Sequence, residues 1–176
     1  MKRVILLCLA LAALPFAAPD TAQAATITDT QFTAADGTVL PLRHWDAPDA
    51  PRAIVLALHG MNDYSNSFDS AARIWAAQGI TTYAYDQRGF GAAPHPGRWA
   101  GGDAMRGDFC DAAQALQKRF AAVPVFAVGE SMGGAVILTA LASRCRPGLA
   151  GVVLISPAVW ARSAMPLSYR VALFAA

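Results

Sequence analysis

The sequence predicts an α/β domain built on a mostly parallel sheet, and three observations carry that prediction. Short apolar runs alternate with helix-period stretches from Ala53 onward; a glycine-flanked serine stands where one such run passes into a helix; and an Asp-Gly pair separates two extended runs ahead of them. The 176 residues suffice for one domain, and 55% hydrophobic with 15% charged residues excludes disordered, collagen-like and disulfide-scaffold classes. Lysine and arginine number 14 against 12 acidic residues, a net charge of +2 with no basic run longer than a pair, so nucleic acid is not an expected partner.

Taken in order, residues 1–24 read as a cleavable export signal. Met1-Lys2-Arg3 is a positive start, residues 4–18 are apolar but interrupted by Pro15, and Ala22-Gln23-Ala24 has the small-x-small form of a cleavage site. The apolar run is short of the roughly 20 residues a membrane span needs. The mature chain is then expected in the periplasm or outside the cell, with Cys110 and Cys145 as its cysteines. With Cys110 in the upper half of one expected helix and Cys145 at the foot of the next, the two are expected to be free thiols, since a bridge needs Cα atoms within about 7 Å.

Residues 27–33 and 39–45 are extended runs about Asp36-Gly37 and predict a hairpin. Pro48 and Pro51 mark the polar connection that follows. Buried strands are expected at residues 54–58, 80–85, 125–128 and 152–155, with helices at about 66–78, 104–119 and 132–144. In the second helix Met105, Phe109, Ala112, Leu116 and Phe120 form one stripe, while Asp103, Asp108 and Asp111 ahead of Lys118 and Arg119 suit the helix dipole. Gly79 and Pro147 are expected to close the first and third helices.

Gly129-Glu130-Ser131-Met132-Gly133 follows a strand and opens a helix. In that setting G-x-S-x-G is a nucleophile elbow, with glycine on both sides because a Cβ there would collide with neighbouring elements. Acyl transfer also needs two main-chain N–H groups facing the developing oxyanion. Met132, after the serine, and Met61, in His59-Gly60-Met61-Asn62 at the end of the first parallel strand, occupy those places.

Together with Asp86-Gln87-Arg88-Gly89-Phe90-Gly91 at the next strand end, these motifs resemble the α/β-hydrolase fold, specifically its monoacylglycerol lipase and lysophospholipase branch. The resemblance spans about residues 26–160. It implies a mostly parallel sheet with helices on both faces and a serine ester hydrolase with Ser131 as nucleophile. The Met61 and Met132 amides would form its oxyanion hole, and Asp86 and Arg88 would shape the adjoining loop. His59, Gly60, Gly129 and Gly133 support the site. The substrate implied is a small-molecule ester or lipid, with a transient membrane-surface contact through a lid; no metal or organic cofactor is implied. Glu130 stands where these lipases often carry His, and Ala92-Ala93 replaces a commonly polar residue.

The triad in this fold runs serine, acid, histidine along the chain. After Ser131 the sequence holds no Asp, Glu or His. Of the three histidines, His59 reads as structural, His44 as packing or surface, and His95 as the one upstream base to test. The expectation is therefore an N-terminal portion of a longer enzyme lacking its C-terminal strands: residues 25–160 as core and 161–176 as the start of a lid. By itself it is expected to be nearly inert, since loss of a triad base costs on the order of 10⁶ in turnover. The alternatives are a catalytically dead scaffold acting as a binding protein and a peptidase of the same fold.

Overall fold

The computed structural model describes residues 23–143, 145, 147–159 and 165–168. The expected export signal up to Ala22, Trp160 and most of the expected lid lie outside the described residues. Among the described residues seven strands, β1 (Thr26–Ile27), β2 (Gln31–Thr33), β3 (Val39–Trp45), β4 (Ala53–Leu58), β5 (Ile80–Tyr85), β6 (Val125–Glu130) and β7 (Gly151–Ile155), form one sheet in the order β1-β2-β3-β5-β4-β6-β7. The first three strands and the β3–β5 pairing are antiparallel, and β5, β4, β6 and β7 are mutually parallel. The parallel part follows from its connections: β4, β5 and β6 are each followed by helix before the chain returns to the sheet.

The Asp-Gly signal holds. Gly37 takes φ +82°, the Thr38 amide donates to Asp36 Oδ1 at 2.9 Å, and Thr33 pairs with Val39. The strand before it is shorter than expected. Thr28 turns the chain, accepting the Gln31 amide on Oγ1 at 3.1 Å, so the extended run splits into β1 and β2. Three polar residues, Thr28-Asp29-Thr30, interrupt the alternation there and favour a turn.

The helices are α1 (Asp69–Ala77), preceded by a 3₁₀ turn at Ser65–Phe68, then α2 (Gly102–Arg119) and α3 (Met132–Leu141). Because β4 is central and buried on both faces, its side chains divide between two cores. Ile54, Leu56 and Leu58 join Met105, Phe109, Ala112 and Leu116 of α2 and Val136, Ile137 and Ala140 of α3 on one face. Val55 and Ala57 join Phe68 on the other, with Trp75 of α1 packed beside them. Burying one leucine or isoleucine contributes about 1.5–3 kcal/mol, so each of the three β4 side chains facing α2 and α3 adds appreciably to that layer. The α2 stripe faces the core as its period predicts, with Phe120 at its half-buried end. Gly79, at φ +78°, donates its amide to Ala76 and ends α1 as expected.

Two expectations are corrected. Helix α3 ends at Leu141 rather than Arg144, so Pro147 lies beyond its stop. That shorter helix changes the cysteines: the chain turns after it, Ser143 Oγ accepting the Cys145 amide, and Cys145 comes to within 6.2 Å of Cys110 (Cα–Cα). The two form a disulfide and are not free thiols; the error lay in carrying the helix past Leu141. Strand β7 borders the sheet, and Val153 and Ile155 on one of its faces are about half exposed, as expected where covering elements are not described.

Candidate active site

Strand β6 runs straight into α3, and the residue at the junction bears the whole change of direction. Ser131 has φ +46° and ψ −110°, a conformation that L-residues rarely adopt and that costs about 1–3 kcal/mol unless neighbours impose it. Its neighbours do impose it. The Ser131 amide donates to the Ile155 carbonyl of β7 at 2.9 Å, and its own carbonyl accepts the Ala158 and Ala135 amides at 2.9 and 3.1 Å.

The glycines allow the fit. A Cβ on Gly133 would stand 2.6 Å from the Leu58 carbonyl carbon of β4, and one on Gly129 would stand 2.6 Å from Ile137 and 2.7 Å from the Gly134 nitrogen. Neither separation is tolerable, so the turn closes only with glycine at both places.

The loop after β4 lies against this turn. A Cβ built on Gly60 would lie 3.5 Å from Ser131 Cβ, which brings the His59-Gly60-Met61 segment beside the serine. Asn62 at φ +62° bends the loop back, and Met61 is exposed. Met132 is the first residue of α3, where a main-chain N–H has no partner within its own helix. Both expected oxyanion donors thus belong to segments bordering Ser131.

His59 is fully buried and its ring is occupied on both nitrogens. Nδ1 lies 2.7 Å from the Gly60 carbonyl, and Nε2 accepts the Gln87 amide at 3.0 Å. Burial holds the imidazole below its ordinary range, against the pull of the Gly60 carbonyl and of Asp86, Asp63 and Glu130. His59 is structural, as its place in the sequence suggests. His95 is exposed, in a left-handed conformation at φ +57°. It lines a hollow of about 560 Å³ with Thr38, Val39, Arg98 and Trp99, to which Ser131 does not contribute. His44 stacks on Tyr83 with ring centroids 5.6 Å apart, a packing role. None of the three histidines is placed to serve Ser131 by a described contact.

The loop after β5 is built by side chains. Asp86, buried, accepts the Ser65 amide on Oδ1 and the Ala92 amide on Oδ2, both at 2.9 Å. Arg88 makes a two-pronged bond to Asp108 of α2, at 2.7 and 2.6 Å, and a third contact to Asp36 at 2.8 Å. The Arg88 guanidinium holds the Asp36 carboxyl down to about 2, while burial pushes Asp108 up despite the same partner. Asp108 is therefore a buried counter-ion to Arg88, and Asp111 accepts the Ala35 amide at 2.8 Å. Sequence reasoning also missed Gln87. Its signal is its place inside the Asp86–Gly91 motif beside two residues that were singled out. A second hollow of about 480 Å³ adjoins the first, lined by Met61, Tyr64, Phe90, Arg98 and Trp99.

The family described as serine aminopeptidase, S33 (Hydrolase_4) matches residues 49–176. Human monoglyceride lipase is 32% identical over 140 residues, covering 78% of this chain and 45% of that protein. The phospholipase YtpA of Bacillus subtilis is 28% identical over 115 residues, covering 64% of this chain and 43% of its own. Among solved structures, a carboxyl esterase of Bacillus coagulans superimposes with a TM-score of 0.63 at 21% identity, covering 72% of this chain and 43% of that one. A monoglyceride lipase of Saccharomyces cerevisiae does so at 0.58 and 23%, covering 77% and 46%. The chain thus spans a little under half the length of these relatives, and the structural likenesses establish the fold. With Ser131 on its strand-to-helix bend and a family match over most of its length, the chain belongs to the Hydrolase_4 family of α/β-hydrolases.

Proposed function

We propose that this chain is the nucleophile-bearing part of an exported serine hydrolase that cleaves carboxylic esters of lipids, of the monoacylglycerol or lysophospholipid kind. The observation that carries the reading is the φ +46°, ψ −110° bend at Ser131, with the Gly60 loop against it. In this reading Ser131 Oγ attacks the ester carbonyl, and the Met61 and Met132 amides stabilise the oxyanion. The alkoxy group leaves with the proton taken from the serine, and water then cleaves the acyl-serine ester. The base and its orienting carboxylate come from further polypeptide, a view supported by the lack of Asp, Glu and His after Ser131 and by the share of the relatives' length that the chain spans. The relatives' names, monoglyceride lipase and phospholipase, favour a lipid ester substrate. Asp86 and Arg88 hold the adjoining loop, and a lid beyond residue 160 would meet the lipid surface. The Cys110–Cys145 disulfide supports an oxidising compartment and hence the export signal.

A fluorophosphonate probe on the full-length protein tests this. Ser131-dependent labelling, lost in Ser131→Ala, together with hydrolysis of monoacylglycerol or lysophospholipid is expected. Labelling with cleavage of aminoacyl amides alone would favour the peptidase reading suggested by the family's description. The absence of any labelling would favour a catalytically silent scaffold.

A further inference from the structure

The mechanism above uses the Met61 amide but leaves unexplained what keeps its loop in place. Met61 is exposed, Asn62 lies in a left-handed conformation, and within the loop the Asp63 amide donates to the Gly60 carbonyl at 3.4 Å. Its anchor is the preceding residue. His59 is gripped twice by Gln87, a residue 28 positions away at the end of β5: the Gln87 main-chain N–H donates to His59 Nε2 at 3.0 Å, and the Gln87 side-chain amide donates to the His59 carbonyl at 2.8 Å. Both residues are buried, and Phe90 meets the imidazole edge-on at 5.9 Å between centroids.

We propose that Gln87 is a positioning residue that latches the oxyanion loop by holding His59 as the neutral Nδ1–H tautomer. The inference rests on the reading of Ser131 and Met61 given above. The tautomer follows from the donors. A main-chain N–H must donate, so Nε2 must be the bare nitrogen, and the remaining proton sits on Nδ1, where the Gly60 carbonyl accepts it. That last bond closes back onto the residue just before Met61. The side-chain amide has one useful orientation too: Nε2 of Gln87 faces a carbonyl, and its Oε1 is buried with no partner among the described residues. The glutamine bears that unpaired oxygen while its NH₂ secures the carbonyl just past the end of β4.

Protonating the ring opposes the latch. An imidazolium presents a second N–H to the Gln87 N–H, two donors face to face, and one must move. Burial opposes the imidazolium and prevails over the Gly60 carbonyl and three carboxylates that favour it, Asp86 and Asp63 on the flanking loops and Glu130 at the end of β6. The loop is therefore latched at neutral pH and released in acid.

Imidazole ¹⁵N NMR on the full-length protein tests the tautomer directly. The expected result is a proton on Nδ1, a bare Nε2, and a His59 midpoint below about 6.5. The Gln87 amide should be protected from hydrogen exchange at neutral pH and lose that protection below the midpoint. A proton on Nε2, an imidazolium at pH 7, or a freely exchanging Gln87 amide would overturn the proposal. Gln87→Met removes the side-chain clamp at similar volume and keeps the main-chain bond. Its His59 midpoint should rise toward about 6.5 as the strand end loosens. Fluorophosphonate labelling of Ser131 should slow at least about tenfold, loss of a whole oxyanion donor costing about 10²- to 10³-fold. A folded Gln87→Met protein with wild-type midpoint and labelling rate would refute the latch. If that variant does not fold, the wild-type tautomer and exchange measurements decide alone. If the wild type labels at no pH, the reading of Ser131 fails while those same two measurements still judge the latch.

Discussion

The two loops that meet at the carboxyl end of the sheet are held by opposite means. Around Ser131 the chain is fixed by the absence of side chains: Gly129, Gly133 and Gly134 let β6, α3 and β4 approach until no Cβ fits between them. Around residues 86–101 it is fixed by side chains reaching outward, with Asp86 joining two amides and Arg88 joining α2 to the hairpin turn through Asp108 and Asp36. Steric closure leaves one geometry and no pH dependence. Charged staples leave a geometry that responds to protonation and to the loss of any one partner.

Substitutions sharpen that contrast. Gly133→Val should be the most damaging, because its side chain would overlap the Leu58 carbonyl; a loss above about 5 kcal/mol, read as absence of a native near-ultraviolet signal, is expected. A native signal in that variant would show that the elbow yields. Asp108→Ala leaves the half-buried Arg88 with Asp36 as its remaining carboxylate and should cost about 3–5 kcal/mol by urea denaturation. Recovery in the double variant with Arg88→Met would show the cost to be that of the stranded charge.

Removing the disulfide by Cys110→Ala with Cys145→Ala frees a loop spanning a sequence separation of 35 and should cost about 2–4 kcal/mol, seen as a lower Tm that reductant reproduces in the parent. The smallest effect belongs to Asp36, which is half exposed. Its folded value of about 2 lies below the ordinary 3.8, so its contribution is complete above about 4 and is lost as pH falls through 2. Asp36→Asn should therefore lower stability at pH 6 by less than about 1 kcal/mol and flatten the acid limb between pH 4 and 2. An unchanged slope would mean that the Arg88 contact to Asp36 carries no weight in solution.

These two regions also differ in how far they could be read beforehand. The elbow is local: strand, Gly-x-Ser-x-Gly and helix follow one another within a few residues, and each glycine states a steric demand that no other residue meets. The same holds for the Asp36-Gly37 turn and the α2 stripe. The staples are not local. Asp108 on an amphipathic helix looks like a solvated acid until Arg88, 20 positions earlier, is seen to reach it, and Gln87 has no pattern of its own until His59 is placed beside it. The cysteine pair failed for a related reason: a helix ending three residues early was enough to swing Cys145 toward Cys110.

By itself the sequence determined the order of strands and helices from β3 onward and the serine at the bend, because apolar periodicity and glycine spacing act between near neighbours along the chain. Only the tertiary structure decided which acid answers Arg88, which partners meet the two nitrogens of His59, and that the two thiols join. Those outcomes depend on distances across the sheet and between helices, and such distances are set by packing that no short stretch of residues contains.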